Sequence, residues 1–311
     1  MVERLEQIVK DSVSKSLLNI KRPFGLFLSG GVDSGTLAAL TKPDIVFTAR
    51  FPYGEIYDEF EDAEEVARYL KLKQEVVTIA KDDFDKHLAD AVNLYKPTSH
   101  FSLVPLYMLF KRAKELGITT ILSGEGPDEY LGGYTSYAFI AYEQKLYMRS
   151  GIRQYKYALD KYWGTPMERF AKILGKDPKE LEPYWGKYKF LLSRMGYTDL
   201  HLRGIEEMEL ALAKGFGINL VYPYMTKEME EFCFTQVLDN SKIKFLGDKV
   251  LTKFIFKKIA EKYIPYNVAW RGNKMGGPVA PIGKWLNSEG VSEFDKTAYL
   301  KLQNKLWKSQ A

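Results

Sequence analysis

Leu26-Phe27-Leu28-Ser29-Gly30-Gly31-Val32-Asp33-Ser34 is the stretch of this 311-residue chain that decides its fold. The apolar residues from Phe24 to Leu28 predict a short strand, and the residues from Gly35 to Leu40 predict a helix behind it. The Ser-Gly-Gly turn between them places backbone amides and hydroxyls at a helix N-terminus, where an anion is stabilised. The stretch therefore predicts a phosphate-binding loop. The alternative is an ordinary strand-to-helix turn with capping serines.

The composition is that of an ordinary globular protein, with 46% hydrophobic and 27% charged residues. The net charge is +5 and the basic residues are scattered among acids, which does not favour nucleic-acid binding. The single cysteine, Cys233, excludes an intrachain disulfide and a Cys-rich zinc site, and we expect it in the core. A signal peptide and an apolar run of membrane length are missing from the sequence, so we expect a soluble cytoplasmic protein.

Strand and helix patterns alternate through the first part of the chain. Apolar spacing predicts an amphipathic helix over 2–18, and apolar runs predict further strands at Ile45–Phe51, Gln74–Ile79 and Ile118–Leu122. The helices predicted between them are 58–70, 82–94 and 103–116. This alternation predicts an α/β fold with a doubly wound parallel sheet, whose ligands bind at the carboxyl ends of the strands. The loops after the first and fourth strands should meet at that edge.

From about Thr135 the pattern changes, and helical spacing dominates to the end of the chain. We expect one domain over 1–311, with an α/β nucleotide-binding core at 20–134 and a mainly helical part at 135–311 that closes the cleft. The aromatic residues from Tyr147 to Trp185 indicate helix packing rather than a base-stacking platform. The three histidines, His87, His100 and His201, lie far apart and have no metal-ligand spacing.

A second glycine-rich loop, Ser123-Gly124-Glu125-Gly126-Pro127-Asp128-Glu129-Tyr130-Leu131-Gly132-Gly133-Tyr134, follows the fourth predicted strand. Its backbone and small residues could line a flat base pocket. Magnesium binds phosphate oxygens and usually one or two protein carboxylates, which makes Asp33 and Asp128 the predicted metal-binding pair. The alternative is an acidic turn that caps a helix.

The two loops together resemble those of a known enzyme family. Ser29–Ser34 is similar to the PP-loop of the ATP pyrophosphatases. Ser123–Tyr134 resembles the Ser-Gly-Glu-Gly-x-Asp-Glu-x-x-Gly-Gly-Tyr pattern in the synthetase domain of the asparagine synthetase family, and Tyr263–Arg271 resembles the segment before that family's active-site loop. The resemblance implies a PP-loop fold of the adenine nucleotide alpha hydrolase type. It also implies Mg²⁺ and ATP, which adenylates a carboxylate before ammonia or another amine expels AMP.

The resemblance also implies roles for individual residues. Glu125 takes the position at the acyl and amine end of the reaction, and Lys249 and Lys274 act on the departing pyrophosphate. The residues implied in ATP or pyrophosphate binding are Leu28, Ser29, Gly30, Gly31, Asp33, Ser34, Ala49, Ser123, Gly124 and Arg271. The implied metal ligands are Asp33 and Asp128. The related β-lactam-forming synthetases carry tyrosine at the position of Glu125, so Glu125 favours amidation between two molecules.

Two departures from the family pattern concern the substrates. The chain begins Met1-Val2-Glu3 without the catalytic cysteine of an N-terminal glutaminase domain, so we expect nitrogen from free ammonia, a separate glutaminase subunit or another amine. The stretch from Asn219 to Thr226 lacks the two acids and the arginine of the family's Glu-x-Arg-x-Pro-Phe-Leu-Asp string. Glu206–Leu212 has no match for the family's Asp-Arg pair. ATP binding is therefore expected, whereas aspartate as the carboxylate is left open.

Three functions remain in order of preference. The first is an AMP-forming amidoligase of the asparagine synthetase type. The second is a PP-loop enzyme that adenylates a tRNA base, which the missing cysteine pairs disfavour. The third is a nucleotide-binding protein that has lost its acceptor site, for which the altered stretch at 219–226 is the best support. The sequence predicts no membrane association and leaves the oligomeric state open, a homo-oligomer included.

Overall fold

The computed structural model describes residues 1–52, 58–150, 160–161, 163–247, 249–272 and 296–308. The chain forms two compact units, each built from three segments. The sheet unit consists of Ser14–Gly124, Ile205–Pro223 and Tyr263–Ala311, and the helical unit of Met1–Val13, Glu125–Gly204 and Tyr224–Lys262. The functional division predicted at residue 134 stays a prediction.

The sheet unit is organised around five strands in the order β3-β2-β1-β4-β5. They are β1 Gly25–Phe27, β2 Ile45–Arg50, β3 Gln74–Thr78, β4 Thr120–Leu122 and β5 Asn219–Val221. All neighbouring pairs are parallel, and Leu26 of β1 is in register with Val46 of β2 and Leu122 of β4. The strand order reverses between β1 and β4, which creates a topological switch point of the kind at which open parallel sheets bind ligands. The predicted fold class is confirmed.

The described helices agree with the sequence patterns where these predicted a helix. In chain order they are α1 Val2–Leu17, α2 Val32–Thr41, α3 Phe60–Tyr69, α4 Lys81–Leu94, α5 Leu103–Glu115, α6 Pro127–Leu131, α7 Thr135–Ser150, α8 Pro166–Leu174, α9 Pro178–Trp185, α10 Leu191–Leu202, α11 Ile205–Phe216, α12 Lys227–Thr235, α13 Asp239–Lys242, α14 Phe254–Ala260, α15 Tyr266–Ala269 and α16 Lys296–Lys308. The apolar stripe of the predicted helix consists of Leu5, Ile8, Val9, Val13 and Leu17. Helix α1 buries the first four, whereas Leu17 is half-buried. Gly117 follows α5 in the left-handed conformation and donates its amide to the Lys114 carbonyl, which ends the helix.

The core of the sheet unit lies between the strands and α5. Phe27 of β1 packs edge-on against Phe110 of α5 at a centroid distance of 4.8 Å, and Phe47 of β2 lies 6.4 Å from Phe27. Tyr299 of α16 is buried against Phe84 of α4. Full burial of one such side chain stabilises a fold by about 1.5–3 kcal/mol, so these contacts fix the strands that carry the two loops.

Three short strands were missed by the sequence patterns. One is β5, and the others are β6 Lys244–Leu246 and β7 Lys249–Leu251, which form an antiparallel hairpin in the helical unit. Strands β1 and β4 are equally short, but apolar runs marked them in the sequence. Each missed strand begins with a polar residue and has only two apolar residues, which is too short a run to predict a strand. Of the helices in the described ranges, none has the length and the apolar content needed to cross a membrane.

The helical unit has its own core around α7, α8 and α10. Its buried side chains include Tyr137, Phe170, Leu192 and Met195. Cys233 of α12 is fully buried, and burial raises the pKa of its thiol to about 12. The cysteine is therefore a core residue, as the sequence predicted.

Candidate functional site

The loop after β1 is held together by its two serines. The amide of Ser29 donates to Ser34 Oγ at 3.1 Å, and the two hydroxyl oxygens are 3.1 Å apart. Helix α2 follows directly, and its N-cap residue is Gly31, which has no side chain that could cap the first-turn amides. The first amides of a helix have no intrahelical acceptor, and the helix dipole adds positive potential there. The loop therefore has the properties of an anion site.

Gly30 is required at its position for two reasons. Its φ is +76°, and a Cβ atom there would lie 2.7 Å from the carbonyl oxygen of Glu59 and 2.9 Å from the amide of Ala63. The loop consequently packs against the start of α3. Arg271, predicted to bind ATP or pyrophosphate, pairs with Glu59 at 3.3 Å and with Asp62 on the same helix. Its binding role stays a prediction.

The loop after β4 approaches the loop after β1, as the sequence predicted. A Cβ atom on Gly124 would lie 3.0 Å from the amide nitrogen and 3.2 Å from the Cα atom of Ser34, so glycine permits the close approach. Leu28 and Ala49 lie at the ends of β1 and β2 on the same edge, where the Thr48 hydroxyl donates to the Leu28 carbonyl at 3.0 Å. Asp33, in the first turn of α2, is 6% exposed. The edge thus gathers the predicted ATP-binding residues of the sheet unit.

A buried acid that the sequence patterns missed lies at the same edge. Glu209 of α11 is 3% exposed, and it interacts with the hydroxyls of Tyr222, which follows β5, and of Ser123, which follows β4. Burial raises the pKa of Glu209 to about 7, although both hydroxyls favour its ionised form. In sequence it is one of three glutamates in the first half of a helix and resembles a surface residue.

In the helical unit, Asp128 forms a buried ion pair with Lys253. The carboxylate oxygen Oδ1 and Lys253 Nζ are 2.7 Å apart, and both side chains are more than nine-tenths buried. Lys253 caps the start of α14 with a left-handed φ of 49°, which is uncommon for a residue other than glycine. A Cβ atom on Gly133 would lie 1.7 Å from Asp128 Oδ1, so only glycine leaves room for this carboxylate. The sequence pattern indicated Asp128 but not Lys253.

Glu129 lies in a second buried polar network of the helical unit. The Tyr134 hydroxyl donates to Glu129 Oε1 at 2.6 Å. Arg203 lies 4.0 Å from the centre of the Tyr134 ring and donates to both oxygens of Asp199, at 2.9 and 2.6 Å. Burial, with repulsion from Glu125, raises the pKa of Glu129 to about 8 against the opposing attraction of Arg203. The network is thus a place where a carboxyl group holds a proton at neutral pH.

The remaining predicted site residues differ in their exposure to solvent, and one of them is not described by the structure. Glu125 is half-buried, and Lys249 is exposed on β7. Lys274 lies outside the described residues. Within the ranges that the structure describes, no group of three or more His, Cys, Asp or Glu side chains could hold a metal ion. The catalytic and metal-binding roles of these residues stay predictions.

A parallel sheet with a glycine loop and a helix N-terminus at its switch point defines a doubly wound α/β protein with a predicted anion site at that edge. The match to the asparagine synthase family covers residues 4–306, nearly the whole chain. The chain belongs to the asparagine synthase family.

Two curated relatives cover most of this chain. It is 26% identical over 334 residues to asparagine synthetase [glutamine-hydrolyzing] 1 of Bacillus subtilis, covering 93% of this chain and 51% of that protein. It is 24% identical over 288 residues to asparagine synthetase B [glutamine-hydrolyzing] of Escherichia coli, covering 86% of this chain and 43% of that protein. The chain therefore spans about half the length of these relatives.

Among solved structures, NMN synthetase from Francisella tularensis is similar at a TM-score of 0.35 and 15% identity, over 67% of this chain and 96% of that chain. A similarity this weak carries no argument about function.

Proposed function

We propose that this chain is a carbon–nitrogen ligase that activates a carboxylate with ATP and transfers ammonia or another amine to it. Aspartate or a related acid is the proposed carboxylate. Membership of the asparagine synthase family over residues 4–306 supports the reaction class. The observation that carries the proposal is the start of α2, where first-turn amides behind Gly31 lie beside the loop of Gly124.

The proposed reaction has two steps. A carboxylate oxygen attacks the α-phosphorus of ATP, the bond between the α and β phosphates breaks, and pyrophosphate leaves. Negative charge develops on the departing pyrophosphate, where amides and hydroxyls of residues 29–34 would stabilise it. The amine nitrogen then attacks the acyl carbon, the bond to AMP breaks, and a base takes the proton of the amine. Glu125 is the proposed base.

Mg²⁺ is the cation that the proposed chemistry needs, and the carboxylates fit it by type because hard cations prefer oxygen ligands. Asp33 is nine-tenths buried next to the phosphate loop and would hold the ion together with phosphate oxygens. Asp128 already contacts Lys253 in the helical unit, so its part as the second ligand stays a prediction. When bound, the ion would neutralise charge on the phosphates. Lys249 and Lys274 are the lysines that we propose to act on the negative charge of the pyrophosphate.

The nitrogen source is part of the proposal. The two relatives named above are glutamine-hydrolysing by name. For this chain we propose free ammonia, ammonia from a separate glutaminase subunit, or another amine.

The test is pyrophosphate release from Mg-ATP with ammonium present, first with aspartate and then with a panel of other carboxylates. Release coupled to formation of the corresponding amide is the expected result. ATP binding without release for any carboxylate would replace the ligase by a nucleotide-binding protein. Release that requires tRNA and falls with salt would favour the base-modifying enzyme.

Asp33→Asn gives the sharpest variant, because it removes a charge and keeps the shape. We expect pyrophosphate release to fall by about 100-fold, the typical loss when one stabilising group of a charged transition state is removed. Asp82→Asn is the matched control, since Asp82 also lies in the first turn of a helix, α4, but is exposed. Equal activity of Asp33→Asn and the wild type would show that Asp33 has no part in the reaction.

A further inference from the structure

Glu209 is the buried acid that the proposed reaction leaves unused. Its neighbours on α11, Glu206, Glu207 and Leu210, are exposed, whereas Glu209 is 3% exposed. The side chain faces the ends of two strands, because Ser123 follows β4 and Tyr222 follows β5. The carboxyl ends of the strands are the ligand-binding edge of a parallel sheet. Glu209 therefore belongs to the same edge as the phosphate loop.

The carboxylate of Glu209 is incompletely satisfied. Its Oε2 atom is buried and makes no hydrogen bond of ordinary length within the described residues. Over the same ranges, no lysine or arginine forms an ion pair with it, and the two groups that favour its ionised form are neutral hydroxyls. Burial without a cationic partner disfavours the ionised form of a carboxylate, and a ligand that supplies a positive charge would stabilise it.

Glu209 is also close in the fold to the nucleotide loops. Ser123 links the two, since Glu209 interacts with its hydroxyl and the next residue, Gly124, packs against Ser34. A group bound by Glu209 would thus lie near Ser123, and the residue after Ser123 contacts the predicted phosphate loop. That placement suits a substrate that meets ATP at the same edge.

We infer that Glu209 is a specificity-determining residue that binds a primary ammonium group of a substrate. An ammonium offers three hydrogen-bond donors and a positive charge. Both would stabilise a carboxylate whose hydrogen-bonding neighbours within the described residues are the hydroxyls of Tyr222 and Ser123. The inference rests on the proposed function and deepens it. The ammonium has two sources, the amino group of the carboxylate substrate and the incoming amine.

The first experiment measures binding and turnover with matched pairs of acids that differ only in the amino group, namely aspartate against succinate and glutamate against glutarate. Calorimetry in the presence of Mg-ATP gives the affinity ratio of each pair, and pyrophosphate release gives the ratio of their KM values. For the wild type we expect the amino acid to be preferred. In Glu209→Gln the preference should fall about ten- to a hundredfold with ATP affinity unchanged, as expected for one lost charge-assisted hydrogen bond.

A second arm separates the two sources of the ammonium group. Ammonium is compared with hydroxylamine, which is largely uncharged at neutral pH, while the carboxylate is held fixed. A change in this ratio in Glu209→Gln, without a change in the aspartate to succinate ratio, assigns Glu209 to the incoming amine. If neither ratio changes, the inference is wrong.

Two further variants keep the result decisive. Glu207→Gln on the same helix removes an exposed charge and should change neither ratio. If Glu209→Gln does not fold, Glu209→Asp keeps the charge at a shorter reach and should weaken the preference; an unchanged preference in that variant overturns the inference. Because calorimetry requires no turnover, a wild type that releases no pyrophosphate would end the proposed function and still leave the binding ratios to decide on Glu209.

Discussion

Gly133 shows how a single atom decides the geometry of the helical unit. Its missing Cβ leaves the space that Asp128 Oδ1 occupies, 1.7 Å from where the Cβ would be. Gly133→Ala should therefore displace the Asp128 carboxylate and break its pair with Lys253. Breaking a buried ion pair destabilises a protein by about 3–5 kcal/mol, and we expect a loss of that size in the free energy of unfolding measured by denaturant titration.

Gly186→Ala is the control for Gly133→Ala. Gly186 follows α9 with a negative φ of −82°, and a Cβ there would meet nothing within 4 Å. The control should change the free energy of unfolding by about 0.5 kcal/mol or less. Equal stability of the two variants would mean that the Asp128–Lys253 pair contributes nothing measurable.

At the residue scale, the two glycine loops were predictable from the sequence. Glycines and serines directly after an apolar run indicate a turn that presents amides and hydroxyls at the end of a strand. The sequence could not identify Lys253 or Glu209. Charged residues within a helical pattern look alike whether solvent or another segment covers them. Glu209 interacts with Ser123, which is distant in sequence, so its position becomes visible only in the folded chain.

At the element scale, Gln303 fixes α16 to the sheet unit. This fully buried side chain accepts a hydrogen bond from the Thr98 amide at 3.0 Å and donates one to the Thr98 carbonyl at 2.7 Å. Gln303→Leu would leave both backbone groups buried and unsatisfied. Each such group costs about 1–3 kcal/mol, so we expect the variant to lose about 2–6 kcal/mol of stability.

The Thr98 amide also gives a local measurement of the α16 attachment. Its hydrogen exchange should be faster in Gln303→Leu than in the wild type, since it loses its acceptor. Asn304→Leu, at the neighbouring exposed position, should leave both exchange and stability nearly unchanged. Unchanged protection of the Thr98 amide in Gln303→Leu would show that another group replaces the glutamine.

Elements with a long apolar or periodic pattern were predictable, whereas elements defined by their partners were not. Helix α1 and strand β2 carry their own signal over many residues. Strand β5 has three residues, Asn219–Val221, and exists because its backbone pairs with β4, where Thr120 is in register with Asn219.

At the scale of the whole molecule, each unit combines three separate segments of the chain. The sequence showed one change of pattern near Thr135 and gave no sign that Ile205–Pro223 returns to the sheet unit. That return is needed because β4 would otherwise be an open edge, and β5 pairs with it. Short-range sequence patterns predict individual helices and strands. Which segment pairs with the last strand of a sheet depends on the packing of the whole chain.

The proton held by Glu129 links the stability of the molecule to pH. Burial raises the pKa of this carboxyl from 4.5 to about 8, so between these values the folded chain binds a proton that the unfolded chain has released. The stabilisation from that proton is complete below pH 4.5 and is lost as the pH rises towards 8. In Glu129→Gln the group cannot ionise, and its amide oxygen can still accept from the Tyr134 hydroxyl.

We therefore expect the free energy of unfolding of Glu129→Gln to rise relative to the wild type between pH 5 and 8, by at most about 1.4 kcal/mol per pH unit. Denaturant titrations of both proteins across this range measure the difference. Glu168→Gln is the control, because the Thr165 amide lowers the pKa of Glu168 and places its titration below pH 4.5. Its difference from the wild type should stay flat from pH 5 to 8. An equally flat difference for Glu129→Gln would mean that Glu129 is ionised in the folded protein and that Arg203, rather than burial, controls its charge.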